Sequence, residues 1–242
     1  MITATDENFP ATRWTLVVAA GTPGAPLADE ALAALCSAYW FPLYAYVRRR
    51  GYAREDAEDL TQAFFARLLE KRDFAGVDRE QGKFRAFLLA ALKNFLANAW
   101  DKEQRHKRGG RITHIPLDWQ GADRQFELAD RAQPAPDQAF DREWALALLE
   151  QVIARLRAEA AAAGKAARFE QLKGFLTAGK GEIPYREHAS TLGMDERALR
   201  VAVHRLRQRY RELLRHEVAR TLTDPAMVAE ELAVLLGAFG NG

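Results

Sequence analysis

The strongest chemical signal in this sequence is a stretch of arginines towards its C-terminal end. Seven arginines and a single acid, Glu212, lie between Arg197 and His216. The guanidinium group is a planar fork that fits guanine edges and phosphate oxygens. A solvated helix on a bundle surface is the alternative interpretation, but the imbalance of charge disfavours it. Helical spacing turns one set of side chains outwards as candidate nucleic-acid contacts: Arg197, Arg200, Val201, His204, Arg205 and Arg207.

The residues around these arginines are spaced as in a helix-turn-helix. A short helix is predicted from Pro184 to Leu192, and Asp195 is placed to cap the next helix. Gly193 supplies the permissive backbone of the turn, and Ala189 is small where the two helices cross. His188 fits less well, because an apolar residue would pack better there. The apolar residues expected to hold the pair on a core are Leu192, Met194, Leu199, Val203 and Leu206.

A second basic helix is predicted from Lys83 to about Gln104, with further cations behind it. Its broad apolar stripe is more typical of a core than of a ligand surface. The remaining polar strip combines amides and cations with an indole ring, which suits a single nucleic-acid strand, because phosphates need charge and unstacked bases need flat partners. The candidate contacts are Lys83, Arg85, Lys93, Asn94, Asn98, Trp100, Arg105 and Arg108.

Four acids, Glu55, Asp56, Glu58 and Asp59, fall within five positions. Paired carboxylates can be catalytic, but no histidine or cysteine lies nearby, and the stretch opens a helix, where acids complement the dipole. The four acids are better explained by the preference for acids in the first turn of a helix, or by a protein-binding surface. The five histidines show no metal-ligand spacing, the single cysteine excludes a cysteine zinc site, and the sequence has no glycine-rich phosphate loop. We therefore expect no enzyme, no metal and no cofactor.

Helical spacing dominates the 242 residues, and the alternation typical of strands is absent from the sequence. We predict an all-α fold of two small helical domains joined by an irregular linker, plus a short C-terminal helix. The linker is predicted from Gly109 to about Asp141, where prolines and glycines interrupt every period. Pro42 is expected to kink or break the first long helix. No apolar run is long enough to cross a bilayer, which favours a cytoplasmic protein without membrane insertion.

Two parts of the chain resemble bacterial sigma factors of the extracytoplasmic-function (ECF) group. The sigma-two domain of that family is similar to AYWFPLYAYVRRRGYAREDAEDLTQAFFARLL and, further on, to GKFRAFLLAALKNFLANAWDKEQRHKR. The sigma-four domain is similar to PYREHASTLGMDERALRVAVHRLRQRYRELL. The resemblance covers about residues 14–220. It implies a sigma-two-like domain at 12–109, a linker at 110–141, a sigma-four-like domain at 142–220 and a C-terminal extension at 221–242.

The resemblance also implies a role for each charged segment. The family's acidic helix docks on the clamp helices of RNA polymerase. The loop from Asp73 to Gly82 and the second basic helix would capture and melt the minus-ten promoter element, and the helix-turn-helix would read the minus-thirty-five element as duplex. The residues that match the polymerase-docking segment are Asp56, Glu58, Asp59, Leu60, Gln62 and Phe65.

The function implied is that of an ECF-type sigma factor, which binds the bacterial RNA polymerase core and directs promoter-specific initiation. Its partners would be the polymerase and promoter DNA, both as duplex and as a melted strand. The free protein is expected to be monomeric, and to associate with the nucleoid when bound to polymerase. Control by an anti-sigma factor or a kinase is left open.

The sequence departs from the family pattern in three places besides His188. Val201 and Ala202 replace polar or basic residues that many relatives carry, so that readout there would use methyl contacts, DNA shape or neighbouring arginines. The N-terminal ATRWTLVVAAG and the tail from Thr221 to Gly242 exceed the minimal pattern. We expect the tail to complete a core as a plain helix, or to pack on the sigma-four domain as a regulator.

Two other functions fit the same residues less well. A stand-alone helix-turn-helix regulator would bind duplex as a dimer, but it leaves the acidic helix unexplained. A helical adaptor would bind only proteins, and would then show no affinity for nucleic acid at low salt.

Overall fold

The computed structural model describes residues 28–71, 83–103, 126, 135–177, 184–222 and 224–239, without the side chains of 28–37, 69–71, 99–103 and 225. Within these ranges the chain forms helices and no strand ladder, which confirms the predicted all-α class. One isolated backbone bridge joins Lys83 and Leu222. The α-helices are α1 (Ala28–Arg49), α2 (Arg54–Lys71), α3 (Phe84–Glu103), α4 (Pro136–Ala162), α5 (Ala166–Leu172), α6 (Tyr185–Thr191), α7 (Glu196–Arg220) and α8 (Val228–Gly237).

Helix α1 runs through Pro42, so the helix does not break there, and a kink at this residue stays a prediction. The helix ends where Gly51 adopts a φ of 92°, a left-handed conformation that costs a residue without a Cβ little. Gly51 also donates its backbone N–H to the carbonyl of Arg48 at 3.0 Å. Because the chain turns tightly at Gly51, α2 begins three residues later, at Arg54. The acids in the first turn of α2 then face the surface.

Helix α4 begins at Pro136, inside the segment predicted to be an irregular linker. Proline suits the first turn of a helix, because its φ is already helical and its missing N–H is not needed there. The N–H of Ala135 is instead satisfied by the side chain of Gln138 at 3.3 Å. Elsewhere in that segment, only Phe126 lies within the described residues, and it is buried.

The described residues divide into two compact units. The first, called here the helix-turn-helix unit, is Leu148–Glu217. The second, called the bundle unit, consists of the described residues before 148 and after 217. The C-terminal residues thus join the same unit as α1, α2 and α3. The functional domain boundaries expected from the sequence stay a prediction.

The core of the bundle unit is largely aromatic. Tyr39 of α1 meets Phe84 of α3 edge to face, with ring centroids 5.5 Å apart. Phe64 of α2 meets Phe95 of α3 at 5.7 Å in a similar arrangement. Such pairs add to the stability that comes from burying the ring area itself. The fully buried residues of this core include Leu43, Tyr44, Phe65, Leu88, Leu92, Phe140 and Leu235.

Candidate nucleic-acid interface

Helices α6 and α7 are joined by a short turn, with the spacing expected of a helix-turn-helix. Gly193 makes the turn at a φ of 61°, and Met194 donates its N–H to the carbonyl of Ala189 at 2.9 Å. Asp195 caps α7 by accepting the N–H groups of Arg197 at 2.9 Å and Ala198 at 3.1 Å. The core beneath contains Leu172, Phe175, Ala189, Leu199 and Val203, and Leu192, Met194 and Leu206 pack against it.

His188, which fitted the pattern poorly, does not enter this core. Its side chain is exposed, and its ring meets that of Phe175 edge to face at 5.1 Å. The structure therefore tolerates histidine there because the position is at the rim.

Five of the six residues predicted to face outwards from α7 are exposed: Arg197, Arg200, Val201, His204 and Arg205. Val201 is 44% exposed, which leaves its methyl groups available to a ligand. Arg197, Val201 and Arg205 line one side of a shallow surface depression, and Arg168 of α5 lines it too. The prediction missed Arg168, because its sequence neighbourhood carries no charge run.

Arg200 is exposed but engaged. Its guanidinium donates to Glu196 through Nε at 2.9 Å and Nη2 at 2.7 Å. It also lies 4.5 Å from the ring centroid of Tyr185 on α6. These contacts hold Arg200 against the helix pair, and a phosphate or base would have to compete with a carboxylate for it.

Arg207 differs from the other five, and its predicted outward orientation is wrong. Its Nε and Nη2 both donate to the backbone carbonyl of Phe175, at 3.0 and 2.8 Å. Phe175 lies in the last turn of a 3-10 helix, Lys173–Leu176, where carbonyl groups have no partner within the helix itself. Arg207 therefore anchors α7 to the segment behind it.

Three cations of the predicted basic face, Lys83 just before α3 and Arg85 and Lys93 within it, form ion pairs with acids that are distant in sequence. Lys83 Nζ lies 3.0 Å from carboxylate oxygens of both Glu230 and Glu231. Arg85 contacts Glu231 at 2.5 Å and also pairs with Asp141, and Lys93 lies 2.8 Å from Asp137. We call these three residues, Lys83, Arg85 and Lys93, the α3 cations.

The other predicted contacts of this helix divide into two groups. Asn94 and Asn98 are exposed, and Asn98 donates its side-chain amide to the carbonyl of Asn94 at 2.8 Å. The Trp100 side chain, Arg105 and Arg108 lie outside the described residues, as does the loop from Asp73 to Gly82.

Burial and ion pairing act in opposite directions on the α3 cations. Burial alone would lower the pKa of Arg85 and of Lys83, but hydrogen bonds to Glu231 raise the pKa of both above their ordinary values. Burial alone would likewise raise the pKa of Glu231, but the same bonds lower it. All three groups are therefore charged near neutral pH. In Asp141, burial dominates and raises the pKa of the carboxyl.

The acidic helix α2 exposes only part of its predicted docking set. Asp56 and Asp59 are exposed, Glu58 accepts from Arg54 Nε at 2.9 Å, and Leu60 is half-buried. Gln62 and Phe65 are buried, with Phe65 only 1% exposed in the bundle core. Neither side chain is available at the surface of α2, because both lie on its core-facing side; their predicted part in polymerase docking stays a prediction.

The acids that pair with the α3 cations were not identified from the sequence. Asp137 and Asp141 lie in the segment taken as a linker, and Glu230 and Glu231 lie on α8. Charge patterning along one helix reveals partners three or four residues apart, but these partners are 44 to 147 residues apart. The tail helix was expected, but its acids had no obvious counterpart.

None of the helices in the part of the chain that the structure describes is both long and apolar enough to span a membrane. The same residues contain no cluster of histidine, cysteine and carboxylate side chains that would hold a metal ion.

Residues 38–106 match the family model described as Sigma-70 region 2. No curated protein and no solved structure matches the chain. The matched segment contains the exposed acids of α2 and the whole of α3. The chain thus carries a sigma-70 region 2 segment, which supports a sigma factor role in RNA polymerase binding and promoter recognition.

Proposed function

We propose that this chain is an ECF-type sigma factor, which binds the bacterial RNA polymerase core and directs promoter-specific initiation by recognising and melting promoter DNA. One observation carries the proposal. The region 2 match covers α2 and α3, while the exposed arginines of α7 form a second basic surface in the other unit. A chain with two basic surfaces and one acidic surface fits a polyanion and a cationic protein at the same time.

The acidic surface is assigned to polymerase. Asp56 and Asp59 are both exposed on one helix. The buried Gln62 and Phe65 hold that helix in the bundle core from behind. Docking then depends on the carboxylates, and the buried residues keep them in place.

Helix α3 is assigned to the melted minus-ten strand. Separating a base step costs roughly 1–2 kcal/mol of stacking free energy. The exposed amides of Asn94 and Asn98 provide hydrogen bonds to unstacked bases, and the cations beside them provide charge for phosphates. Trapping bases on this surface would offset the melting cost.

The exposed face of α7 is assigned to the minus-thirty-five duplex. Arg197 and Arg205 flank Val201 around the surface depression, an arrangement that combines phosphate or guanine contacts with an apolar contact to a thymine methyl. Much of this affinity would come from counterion release and would weaken steeply with added salt.

The proposed role has no chemical step of its own, and it requires no cofactor. The protein would act in the cytoplasm, monomeric when free and associated with the nucleoid through polymerase. An anti-sigma factor or a kinase remains a proposed means of control.

Reconstitution with core polymerase tests the proposal. The purified chain is added to core enzyme on a genomic DNA library, and transcript starts are mapped. A shared pair of upstream sequence elements at the starts supports the proposal. A stable dimer that binds a palindrome without polymerase, and starts no transcript with it, would show instead a stand-alone helix-turn-helix regulator.

A further inference from the structure

Helix α8 places two consecutive acids on the basic face of α3. Glu231 is only 1% exposed, and its carboxylate lies 2.5 Å from Arg85 Nε and 3.0 Å from Lys83 Nζ. Glu230 is 64% exposed and lies 3.0 Å from the same lysine nitrogen. Both contacts join α8 to residues almost 150 positions earlier in the chain, within the bundle unit.

The same face is occupied from a second direction. Asp141 pairs with Arg85, and Asp137 with Lys93, both from the beginning of α4. Arg85 also lies 4.9 Å from the centroid of the Trp144 ring, so that its guanidinium has both an acid and an aromatic partner on α4. Each of the α3 cations therefore has a carboxylate where a phosphate would bind.

The carboxylates that pair with the α3 cations and a nucleic-acid phosphate would bind the same N–H donors. A guanidinium holds an oxyanion through its N–H groups, and a carboxylate and a phosphate offer oxygens of similar geometry. Arg85 is 12% exposed, because α4 and α8 cover it. A strand on α3 could reach Arg85 only after Glu231 had left it.

Contacts close to Glu230 and Glu231 hold the tail in this position. Leu235 of α8 is buried, and the bridge between Lys83 and Leu222 joins the segment before α8 to the first residues of α3. The acids thus reach Lys83 and Arg85 because the chain next to them is tied at the same end of α3.

We propose that α8 is an intramolecular competitor of nucleic acid, in which Glu230 and Glu231 occupy Lys83 and Arg85 and must withdraw before a single DNA strand can bind α3. The inference rests on the proposed function, because it takes α3 to be the strand-binding surface. It assigns the tail a regulatory contact on the bundle unit, where Leu235 also completes the core, whereas the regulatory alternative drawn from the sequence placed the tail on the sigma-four-like domain.

The test measures the affinity of the full-length protein for a fluorescein-labelled, single-stranded 20-mer of degenerate sequence, by anisotropy across a salt series. Glu231→Gln removes the charge and keeps the side-chain shape. Glu150→Gln on the exposed side of α4 changes the net charge equally. Binding of each protein is measured alone and with core polymerase.

We expect Glu231→Gln to bind the strand at least threefold more tightly than the wild type and the Glu150→Gln control. Each phosphate contact on a single strand adds about 0.7 to the slope of log affinity against log salt. The slope should therefore steepen by about 0.7 for each α3 cation released. Glu230→Gln, at an exposed carboxylate that packs little, should shift both quantities in the same direction by less, and it provides the test if Glu231→Gln fails to fold by circular dichroism.

Equal affinity and equal slope in folded Glu231→Gln, Glu150→Gln and wild-type proteins would overturn the inference and make the pair purely structural. If no variant binds the strand at low salt, alone or with polymerase, the proposed function of α3 fails as well. Failure of α8 as a competitor is thus distinguishable from failure of the proposed function.

Discussion

Arg205 and Arg207 are two positions apart on α7 and have opposite surroundings. Arg205 is exposed beside the depression, whereas Arg207 donates twice to a backbone carbonyl. Both looked alike as arginines in one basic run. Composition identified the run, but the direction of each side chain depends on what lies behind the helix.

Replacing Arg205 with alanine should weaken binding to the upstream duplex by roughly 1–3 kcal/mol, the range for one good base contact. The fold should not change, because Arg205 is exposed. Quantitative footprinting of polymerase holoenzyme on a mapped promoter measures the effect. Unchanged protection of the upstream element would contradict the assignment of this face to duplex DNA.

Replacing Arg207 with alanine should act on stability. Hydrogen bonds to a charged donor contribute about 1.5–3 kcal/mol, and the half-buried position of Arg207 places the expected loss near the lower end of that range. Urea denaturation gives the free energy of unfolding, and Arg211→Ala at an exposed site on the same helix is the control. Equal midpoints for the two variants would show that the carbonyl contact contributes nothing.

On α2, reversing the charge of an exposed acid tests docking on polymerase separately from folding. Asp59→Arg should weaken co-purification with core polymerase at least tenfold, because an exposed carboxylate becomes a cation on the proposed docking face. Glu150→Arg makes the same change on an exposed part of α4. Undiminished co-purification of Asp59→Arg, or an equal loss in the control, would count against docking through α2.

At the scale of helices, periodicity predicted α2, α3, α6 and α8 to within a few residues, because their apolar faces repeat and glycines or an aspartate mark their ends. It failed at Pro136, where a helix start was taken as part of a linker. The resemblance marks Gln62 and Phe65 without saying which side of α2 is buried, and both side chains are buried. Pairs such as Arg85 and Glu231 depend on tertiary packing, which no local pattern contains.

The cap of α7 gives a test at this scale. Asp195→Ala removes the acceptor of two backbone N–H groups and should lower the free energy of unfolding by about 1 kcal/mol. Asp195→Ser should retain most of that stability, because serine is also a good N-cap. Thermal unfolding followed by circular dichroism distinguishes them. The interpretation fails if alanine and serine are equally stable.

Over the whole sequence, 35 lysines and arginines nearly balance 33 acids. Many of these charged residues form intramolecular ion pairs. Arg209 donates to Glu159 through Nε at 2.9 Å and Nη2 at 2.7 Å, a bidentate pair between α7 and α4 in the helix-turn-helix unit. This bonding lowers the pKa of Glu159 below its ordinary value of 4.5, although partial burial opposes it. Stability that depends on internal pairs of this kind depends on pH.

The sign of this dependence follows from the lowered pKa. The pair contributes its full stability above the unfolded value near 4.5 and loses it as the pH falls through the lower folded pKa. Glu159→Gln should cost about 0.5 kcal/mol at pH 7, since the pair is partly exposed, and less near pH 2. Urea titrations at both values measure this, with Glu150→Gln as the control. An equal cost at both values would exclude a role for ionisation.

The C-terminal residues have a practical consequence for anyone who would dissect this protein. Phe140 and Leu235 are buried members of the bundle unit, yet both lie beyond residue 109, where the resemblance would place the end of a first domain. A fragment cut there would lose these and other core side chains and, with them, the acids that cover Lys83 and Arg85. Its nucleic-acid affinity would then describe an uncovered, weakened bundle, and would overstate what the intact chain does.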